Sequence, residues 1–180
     1  NQVDEGLVYM QVTRGVAERD FAWPQGLKPN IFMFTQVKHA EENDAGRDGV
    51  RLASAPDIRW ARRDIKTVQL LYPSLGKMMA KAAGCDDAWM VEDGAVTEGT
   101  SNNAYIVKGN TIVTRNLGNE ILHGITRAAV LRFAREAQMN VEERAFTIAE
   151  AQAADEAFIT SASTFVMPVV EIDGAAVGTG

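Results

Sequence analysis

Three residues in the middle of the chain together suit a ligand that carries an aldehyde, a ring nitrogen and a phosphate. Lys66 has an amine that can attack an aldehyde and form a Schiff base. Glu98, at the end of a predicted strand, can form an ion pair with a protonated ring nitrogen. Gly124 precedes a predicted helix, and the free N–H groups at a helix start can bind a phosphate. Each residue alone also has an ordinary interpretation, namely a surface lysine, a solvated strand-end glutamate and a plain helix cap. Only the three residues together indicate a ligand of this kind.

Two further stretches carry small polar side chains that could contact the same ligand. The turn after the glutamate contains Thr100 and Ser101, and its small residues would allow a ligand close to the backbone. Thr126 adds a hydroxyl to the predicted helix start, and Ser161 and Ala162 lie in a second hydroxyl-rich cluster that could face a phosphate. Both stretches could equally be ordinary polar turns.

The composition is that of an ordinary globular protein and argues against several functional classes. The 180 residues are 46% hydrophobic and 23% charged, which is enough apolar material for a buried core. With 18 basic and 24 acidic residues the net charge is -6, and no basic cluster is interleaved with aromatic residues, so no nucleic-acid partner is predicted. The single cysteine, Cys85, allows no internal disulfide, and the two histidines, His39 and His123, are too far apart to suggest a metal site. The lack of a possible disulfide fits a reducing, cytoplasmic location. There is no signal peptide and no apolar run long enough to cross a bilayer, so no membrane contact is expected.

Hydrophobic patterning predicts many short strands joined by glycine-rich turns. Strand-forming runs, the first of them expected to be buried, cover residues 7–13, 31–37, 50–58, 157–160 and 169–172. Two hairpins are predicted, one from 88–91 with 95–97 and one from 104–107 with 111–114. Residues 41–49 are expected to form a polar loop. Many hairpins with two or three helices predict an α+β domain with a mostly antiparallel, barrel-like sheet and flanking helices.

Helical spacing of apolar residues occurs in two long stretches. In residues 67–83 the apolar positions recur every three or four residues, and Gly84 would end the helix. Pro73 falls inside this stretch, so the helix is either kinked or begins just before the proline. Residues 125–138 carry a broad apolar stripe typical of a helix packed on a sheet. Thr147 fits the N-cap of a further short helix.

These motifs resemble those of the class IV, or fold-type IV, aminotransferases, which depend on pyridoxal 5'-phosphate (PLP), and within them the D-amino-acid (D-alanine) aminotransferase branch. The likeness runs over nearly the whole chain and rests on residues 11–15, 57–60, 64–66, 97–99, 121–127 and 168–174. It implies that 51–180 is the PLP-binding large domain, truncated at its C-terminal end. It also implies that 1–50 is the end of a small N-terminal domain, otherwise largely missing, with the interdomain region. The start at Asn1 without methionine agrees with a fragment of a longer protein.

The resemblance assigns a role to each candidate residue. Lys66 would hold PLP as a Schiff base and later move a proton between substrate and cofactor, and Glu98 would pair with the pyridine nitrogen. Arg59 would lie near the cofactor, and Leu122 would pack against its ring. The residues implied around the phosphate are Gly124, Ile125, Thr126, Ser161 and Ala162.

The same resemblance implies the substrates and the assembly. A D-amino acid, with D-alanine as the first choice, would give its amino group to a 2-oxo acid such as 2-oxoglutarate. Thr100 and Ser101 would contact the substrate, and Arg19 would bind its carboxylate across the interface of a homodimer with shared active sites. In the family's best-known members a histidine follows that arginine two residues later, and here Phe21 stands in its place.

Three alternatives stay open at this point. The branched-chain L-amino-acid aminotransferases and the aminodeoxychorismate lyases share the lysine, the glutamate and the helix-start turn, although residues 64–67 and 14–19 are more similar to the D-amino-acid branch. The third alternative is an inactive fragment that does not hold PLP, because the family's small domain, expected to be missing here, supplies an arginine for the phosphate.

Overall fold

The computed structural model describes residues 3–38 and 44–178, without the side chain of residue 44. The chain divides into two compact units, Asn1–Glu42 and Asn43–Gly180. The domain boundary expected between residues 50 and 51 concerns the longer protein and stays a prediction.

The first unit is built on an antiparallel ribbon of two strands. β1 (Gly6–Thr13) pairs with β2 (Asn30–Val37) along its whole length, which confirms both predicted strands. The expectation that the first strand is buried is wrong, since Val8, Met10 and Val12 are 67%, 62% and 64% exposed. Among the described residues of this unit the ribbon has no second layer, so the apolar side chains along β1 are not covered.

The second unit is built on one mixed sheet, which has nine strands among the described residues. In chain order they are β3 (Val50–Pro56), β4 (Asp87–Glu92), β5 (Ala95–Gly99), β6 (Asn103–Lys108), β7 (Thr111–Thr114), β8 (Asn140–Glu143), β9 (Glu156–Ser161), β10 (Phe165–Ile172) and β11 (Ala175–Ala176). Across the sheet the order is β5, β4, β3, β10, β9, β6, β7 and β8, with β11 paired to β10.

Most neighbouring strands of this sheet run antiparallel, as predicted. The parallel pairs are β3 with β4, β3 with β10, and β7 with β8. The sheet also curls until its two outer strands approach each other, because the Val96 N–H in β5 donates to the carbonyl of Phe146, just beyond β8, at 2.9 Å. This bond between opposite ends of the strand order supports the expected barrel-like form.

Asp-Gly pairs close two of the hairpins. Between β4 and β5, Asp93 has a φ of 51° and Gly94 a φ of 77°, and between β10 and β11 the φ angles of Asp173 and Gly174 are 50° and 78°. Two successive positive φ angles are typical of the tight turn that matches strand twist, and Asp-Gly favours that turn. The turn chemistry therefore fixes the register of both hairpins.

The described helices are α1 (Asp44–Asp48), α2 (Leu71–Ala82), α3 (Ile125–Glu136) and α4 (Ile148–Gln152). Pro73 lies in the first turn of α2, so the later start is confirmed, and Gly84 follows its last turn with a φ of 79°. The predicted N-cap of α4 is also confirmed, because Thr147 Oγ1 accepts from the Glu150 N–H at 3.1 Å. These boundaries follow from local backbone chemistry.

The polar loop expected over residues 41–49 is wrong for its second half. Residues 44–48 form α1, and residues 41–43 lie outside the described residues. Gly49, with a φ of 77°, donates its N–H to the carbonyl of Ala45 at 3.0 Å. A glycine in this conformation often closes a helix, and this closure accounts for a short helix in so polar a segment.

The core lies between the sheet and the helices that cover it. Trp89 and Phe146 pack edge to face with ring centroids 5.8 Å apart, among fully buried residues such as Leu52 and Ile106. On the other side, Leu131 of α3 packs with apolar residues of the sheet. No helix in the described part of the chain is long and apolar enough to cross a membrane.

Candidate active site

A cavity of about 770 Å³ lies within the second unit, a size typical of small-molecule sites. It is lined by every predicted site residue of this unit, namely Arg59, Lys66, Glu98, Thr100, Ser101, Leu122, Gly124, Ile125, Thr126, Ser161 and Ala162. These residues come from strand ends, turns and a helix start that are far apart in sequence. The fold therefore brings together what the motifs only suggested.

Glu98 is the buried carboxylate of the cavity and is only 4% exposed. Its Oε1 accepts from Arg59 Nη1 at 2.8 Å, and its Oε2 accepts from the Leu122 N–H at 2.9 Å and from Asn103 Nδ2 at 3.3 Å. Burial raises the pKa of Glu98 above its ordinary value, although Arg59 and the Leu122 N–H act in the opposite direction. A fixed carboxylate with raised proton affinity suits an interaction with a protonated ring nitrogen.

Arg59 lies beside Glu98 and is shared with a second carboxylate. Its Nε and Nη2 donate to both oxygens of Asp57 at 2.9 and 2.7 Å. Burial works against ionisation of Asp57, but hydrogen bonds from Arg59 and Thr97 outweigh it and hold its pKa below the ordinary value. Sequence reasoning placed Arg59 near the ligand and did not find Asp57, although both belong to the same motif.

Lys66 lies on an exposed part of the cavity lining, in the turn that precedes α2. It forms no hydrogen bond or ion pair with any described residue. The neighbouring arginines are each held by a carboxylate, Arg62 by Asp64 at 2.9 Å and Arg63 by Glu92 at 2.7 Å. The amine of Lys66 is thus available to a ligand in the cavity.

The start of α3 forms another part of the cavity wall. Gly124 is its N-cap, and no side chain caps the helix. The first N–H groups of a helix have no partner within the helix, so those of Ile125 and Thr126 can bind an anion. Asn103 holds this turn in place by donating to the Leu122 carbonyl at 2.9 Å.

The second hydroxyl cluster also reaches the cavity, but much of its hydrogen bonding is internal. Ser161 Oγ lies 2.7 Å from Thr164 Oγ1 and accepts from the Thr164 N–H at 3.1 Å. These contacts form a local turn. The predicted role of Ser161 and Ala162 in ligand binding stays a prediction, beside the polar turn that the sequence also allowed.

Thr100 and its neighbours are anchored from behind the cavity by a carboxylate that sequence reasoning missed. Asp87 accepts from Thr100 Oγ1 at 2.5 Å and from Asn102 Nδ2 at 3.0 Å. Lys77 lies 3.5 Å from the same carboxylate. Because Asp87 is brought near this turn by strand pairing, no spacing in the sequence would have found it.

Arg19 and Phe21 belong to the first unit, in the loop between β1 and β2. The guanidinium carbon of Arg19 lies 5.7 Å from the ring centroid of Phe21, which is 93% exposed. Their contact with substrate stays a prediction.

The chain belongs to the class IV aminotransferases, because the amino-transferase class IV family model matches residues 1–172. A D-alanine aminotransferase from Bacillus licheniformis is 43% identical over 180 residues, which cover 100% of this chain and 63% of that relative. The branched-chain amino acid aminotransferase of Escherichia coli has a TM-score of 0.84 at 22% identity, over 97% of this chain and 60% of its own. A branched-chain aminotransferase from Thermoproteus uzoniensis has a TM-score of 0.76 at 26% identity, over 96% of this chain and 60% of its own.

These matches confirm the resemblance and the fold-type IV architecture that the motifs predicted. The chain spans 63% of the length of the Bacillus licheniformis relative.

Proposed function

We propose that the protein containing this chain is a PLP-dependent aminotransferase that moves the amino group of a D-amino acid, D-alanine first of all, to a 2-oxo acid such as 2-oxoglutarate. The observation that carries the proposal is that Lys66, Glu98 and the start of α3 line one cavity. The 43% identity to a D-alanine aminotransferase favours the D-amino-acid branch.

The residues of the cavity fit the three ends of PLP. Lys66 offers an amine for the aldehyde, Glu98 a buried carboxylate for the ring nitrogen, and Gly124 an uncapped helix start for the phosphate. When bound, PLP would supply an electron sink for the charge that develops at the substrate α-carbon.

The chain's own residues would then act in distinct ways. Lys66 would hold the cofactor through its amine and, once displaced by substrate, take and return a proton at the α-carbon. Glu98, fixed by Arg59 and by the Leu122 N–H, would keep the ring nitrogen protonated. Leu122 would pack against the ring, and Ile125 and Thr126 would donate N–H groups to the phosphate.

Substrate binding and assembly belong to the same proposal. Thr100 and Ser101 would contact the substrate, while Arg19 would bind its carboxylate from the partner subunit of a homodimer and Phe21 would shape the space beside it. We place the protein in the reducing cytoplasm, with which its free Cys85 is compatible.

A branched-chain L-amino-acid aminotransferase is the second candidate. The Thermoproteus uzoniensis enzyme, at 26% identity and a TM-score of 0.76, supports it. This candidate ranks second because the chain is more similar to a D-alanine aminotransferase, at 43% identity.

The test is an absorbance spectrum of the purified protein with PLP, before and after D-alanine or L-leucine. We expect a visible band that D-alanine bleaches and that Lys66→Ala abolishes, because only the amine of Lys66 would hold the cofactor. Lys81→Ala, at the exposed end of α2, is the matched control and should retain the band. Bleaching by L-leucine alone would select the second candidate, and a wild-type protein without any band would contradict both.

A further inference from the structure

Five charged side chains form a continuous row from the end of β4 to the cavity. In order they are Glu92, Arg63, Asp57, Arg59 and Glu98. Successive groups lie 2.7, 3.6, 2.7 and 2.8 Å apart. Because the row alternates in sign and begins and ends with a carboxylate, it carries one excess negative charge.

Arg59 is the member on which the geometry of the row depends. Its Nε and Nη2 meet both oxygens of Asp57, which leaves only Nη1 for Glu98 at 2.8 Å. A guanidinium prefers to pair with a carboxylate through two parallel hydrogen bonds. Without Asp57, that two-fold pairing would be free to form with Glu98 instead.

Asp57 is itself firmly held, with a side chain that is 0% exposed. Thr97 Oγ1 donates to its Oδ2 at 2.6 Å, and the Arg59 N–H donates to its Oδ1 at 3.2 Å. Its own N–H donates to the Val91 carbonyl at 2.7 Å, which ties the end of β3 to β4. The carboxylate is therefore fixed in front of Arg59 before any ligand enters.

We infer that Asp57 is a positioning residue, which occupies one side of the Arg59 guanidinium and so leaves Glu98 with a single guanidinium hydrogen bond and an uncompensated charge toward the cavity. That this charge would stabilise a cationic ring nitrogen rests on the proposed function. The sharing of Arg59 between Asp57 and Glu98 is a property of the structure and is independent of that function.

The electrostatics around Glu98 agree with this geometry. Burial and the charge of Asp57 raise the pKa of Glu98, whereas Arg59 and the Leu122 N–H lower it. The other ionisable side chains of the cavity lining are Arg63, Lys66, Tyr72 and His123. Replacing Asp57 by a neutral side chain of the same shape removes a neighbouring negative charge and lets Arg59 turn toward Glu98. Both changes lower the pKa of Glu98.

The test follows the ionisation of Glu98 by NMR of carboxyl-labelled protein without added PLP. Asp57→Asn should lower the pKa of Glu98 by about one unit. Glu92→Gln is the matched control, because it removes the outer carboxylate of the row without touching Arg59. It should leave the pKa of Glu98 unchanged. An unchanged or raised pKa of Glu98 in Asp57→Asn would overturn the inference.

A second measurement needs no variant and decides the matter even if Asp57→Asn does not fold. In the wild-type protein Asp57 should titrate at a lower pH than Glu98, and the reverse order would overturn the inference. With PLP bound, Asp57→Asn should lower kcat about tenfold with little change in KM, as expected for a one-unit change in proton affinity. Failure to bind PLP would count against the proposed function, whereas the NMR result stands independently.

Discussion

Single residues of the cavity carry electrostatic costs that the rest of the fold must offset. Glu98 is buried and its pKa is raised, so ionising it costs the folded state free energy. Glu143, on β8, is the opposite case, since hydrogen bonds from Arg127 and Arg135 hold its pKa below the ordinary value. Ionised Glu98 therefore costs the folded state free energy, whereas ionised Glu143 contributes to its stability.

Glu98→Gln should therefore change stability in a pH-dependent way. Between the ordinary pKa of a glutamate and the higher folded value, the folded state binds more protons than the unfolded one, so the wild-type protein loses stability through Glu98 as pH rises. Glutamine does not ionise, and the unfolding free energy of the variant relative to wild type should increase with pH across this window. Urea unfolding from about pH 4 to about pH 8 measures the difference.

Glu143→Gln supplies the contrast in sign. Because the pKa of Glu143 is lower in the folded state than in the unfolded state, the ionised side chain stabilises the fold at pH values above the unfolded-state pKa. This stabilisation is lost as the pH falls through the folded-state pKa. The variant should therefore lose stability relative to wild type as pH rises. Parallel curves for the two variants would contradict the assignment of opposite roles.

At the level of elements, the start of β6 and the start of α3 are held together by one side chain. Asn103 donates to the Leu122 carbonyl at 2.9 Å and to Glu98 Oε2 at 3.3 Å. A Cβ on Gly124 would collide with the Asn103 side-chain oxygen. A side chain at this position would fit only if Asn103 moved, so close approach favours glycine here, whereas its φ of -65° is open to any residue.

Gly124→Ala should weaken PLP binding, because displacing the Asn103 side chain disturbs both the carboxylate and the helix start. We expect an affinity loss of about tenfold or more, corresponding to about one lost hydrogen bond, measured by titration of the visible band. Gly94→Ala, in the turn between β4 and β5, meets no neighbouring atom but has a φ of 77°. It should cost about 1–2 kcal/mol of stability and leave PLP affinity unchanged, so equal affinity losses in both variants would contradict the account.

At the scale of the whole molecule, the proposed substrate contact joins a residue of one unit to a cavity in the other. Arg19 lies in the first unit and Lys66 in the second. In a homodimer with shared active sites, each site would combine Lys66 of one subunit with Arg19 of its partner.

Mixing two inactive variants of the whole protein tests this arrangement. Arg19→Ala and Lys66→Ala should each have little activity alone, and refolding them together in equal amounts should restore about a quarter of wild-type activity, because each hybrid dimer regains one intact site. Lys81→Ala mixed with Lys66→Ala is the control for dilution. No recovery in the hybrid would show that Arg19 serves its own subunit.

Local signals were sufficient for most elements. Both Asp-Gly hairpins, the helix start at Pro73, its end at Gly84 and the cap at Thr147 follow from backbone preferences of single residues. The burial of β1 and the loop at 44–48 were wrong, because burial depends on what covers a strand and a short helix depends on how it is closed. The strand β8 was not predicted.

The sequence by itself determined the family and most of the strands along the chain, and it indicated Lys66, Glu98 and Gly124 as site candidates, since motifs and turns are written in adjacent positions. Only the tertiary structure decided which polar groups stand behind them. Asp57, Asp87 and Asn103 are bonded to Thr97, to Thr100 and to the Leu122 carbonyl on other strands and turns, and such partners are selected by how the sheet pairs and curls. Their identity is a property of packing, because a buried charge must find its counterpart wherever the fold places one.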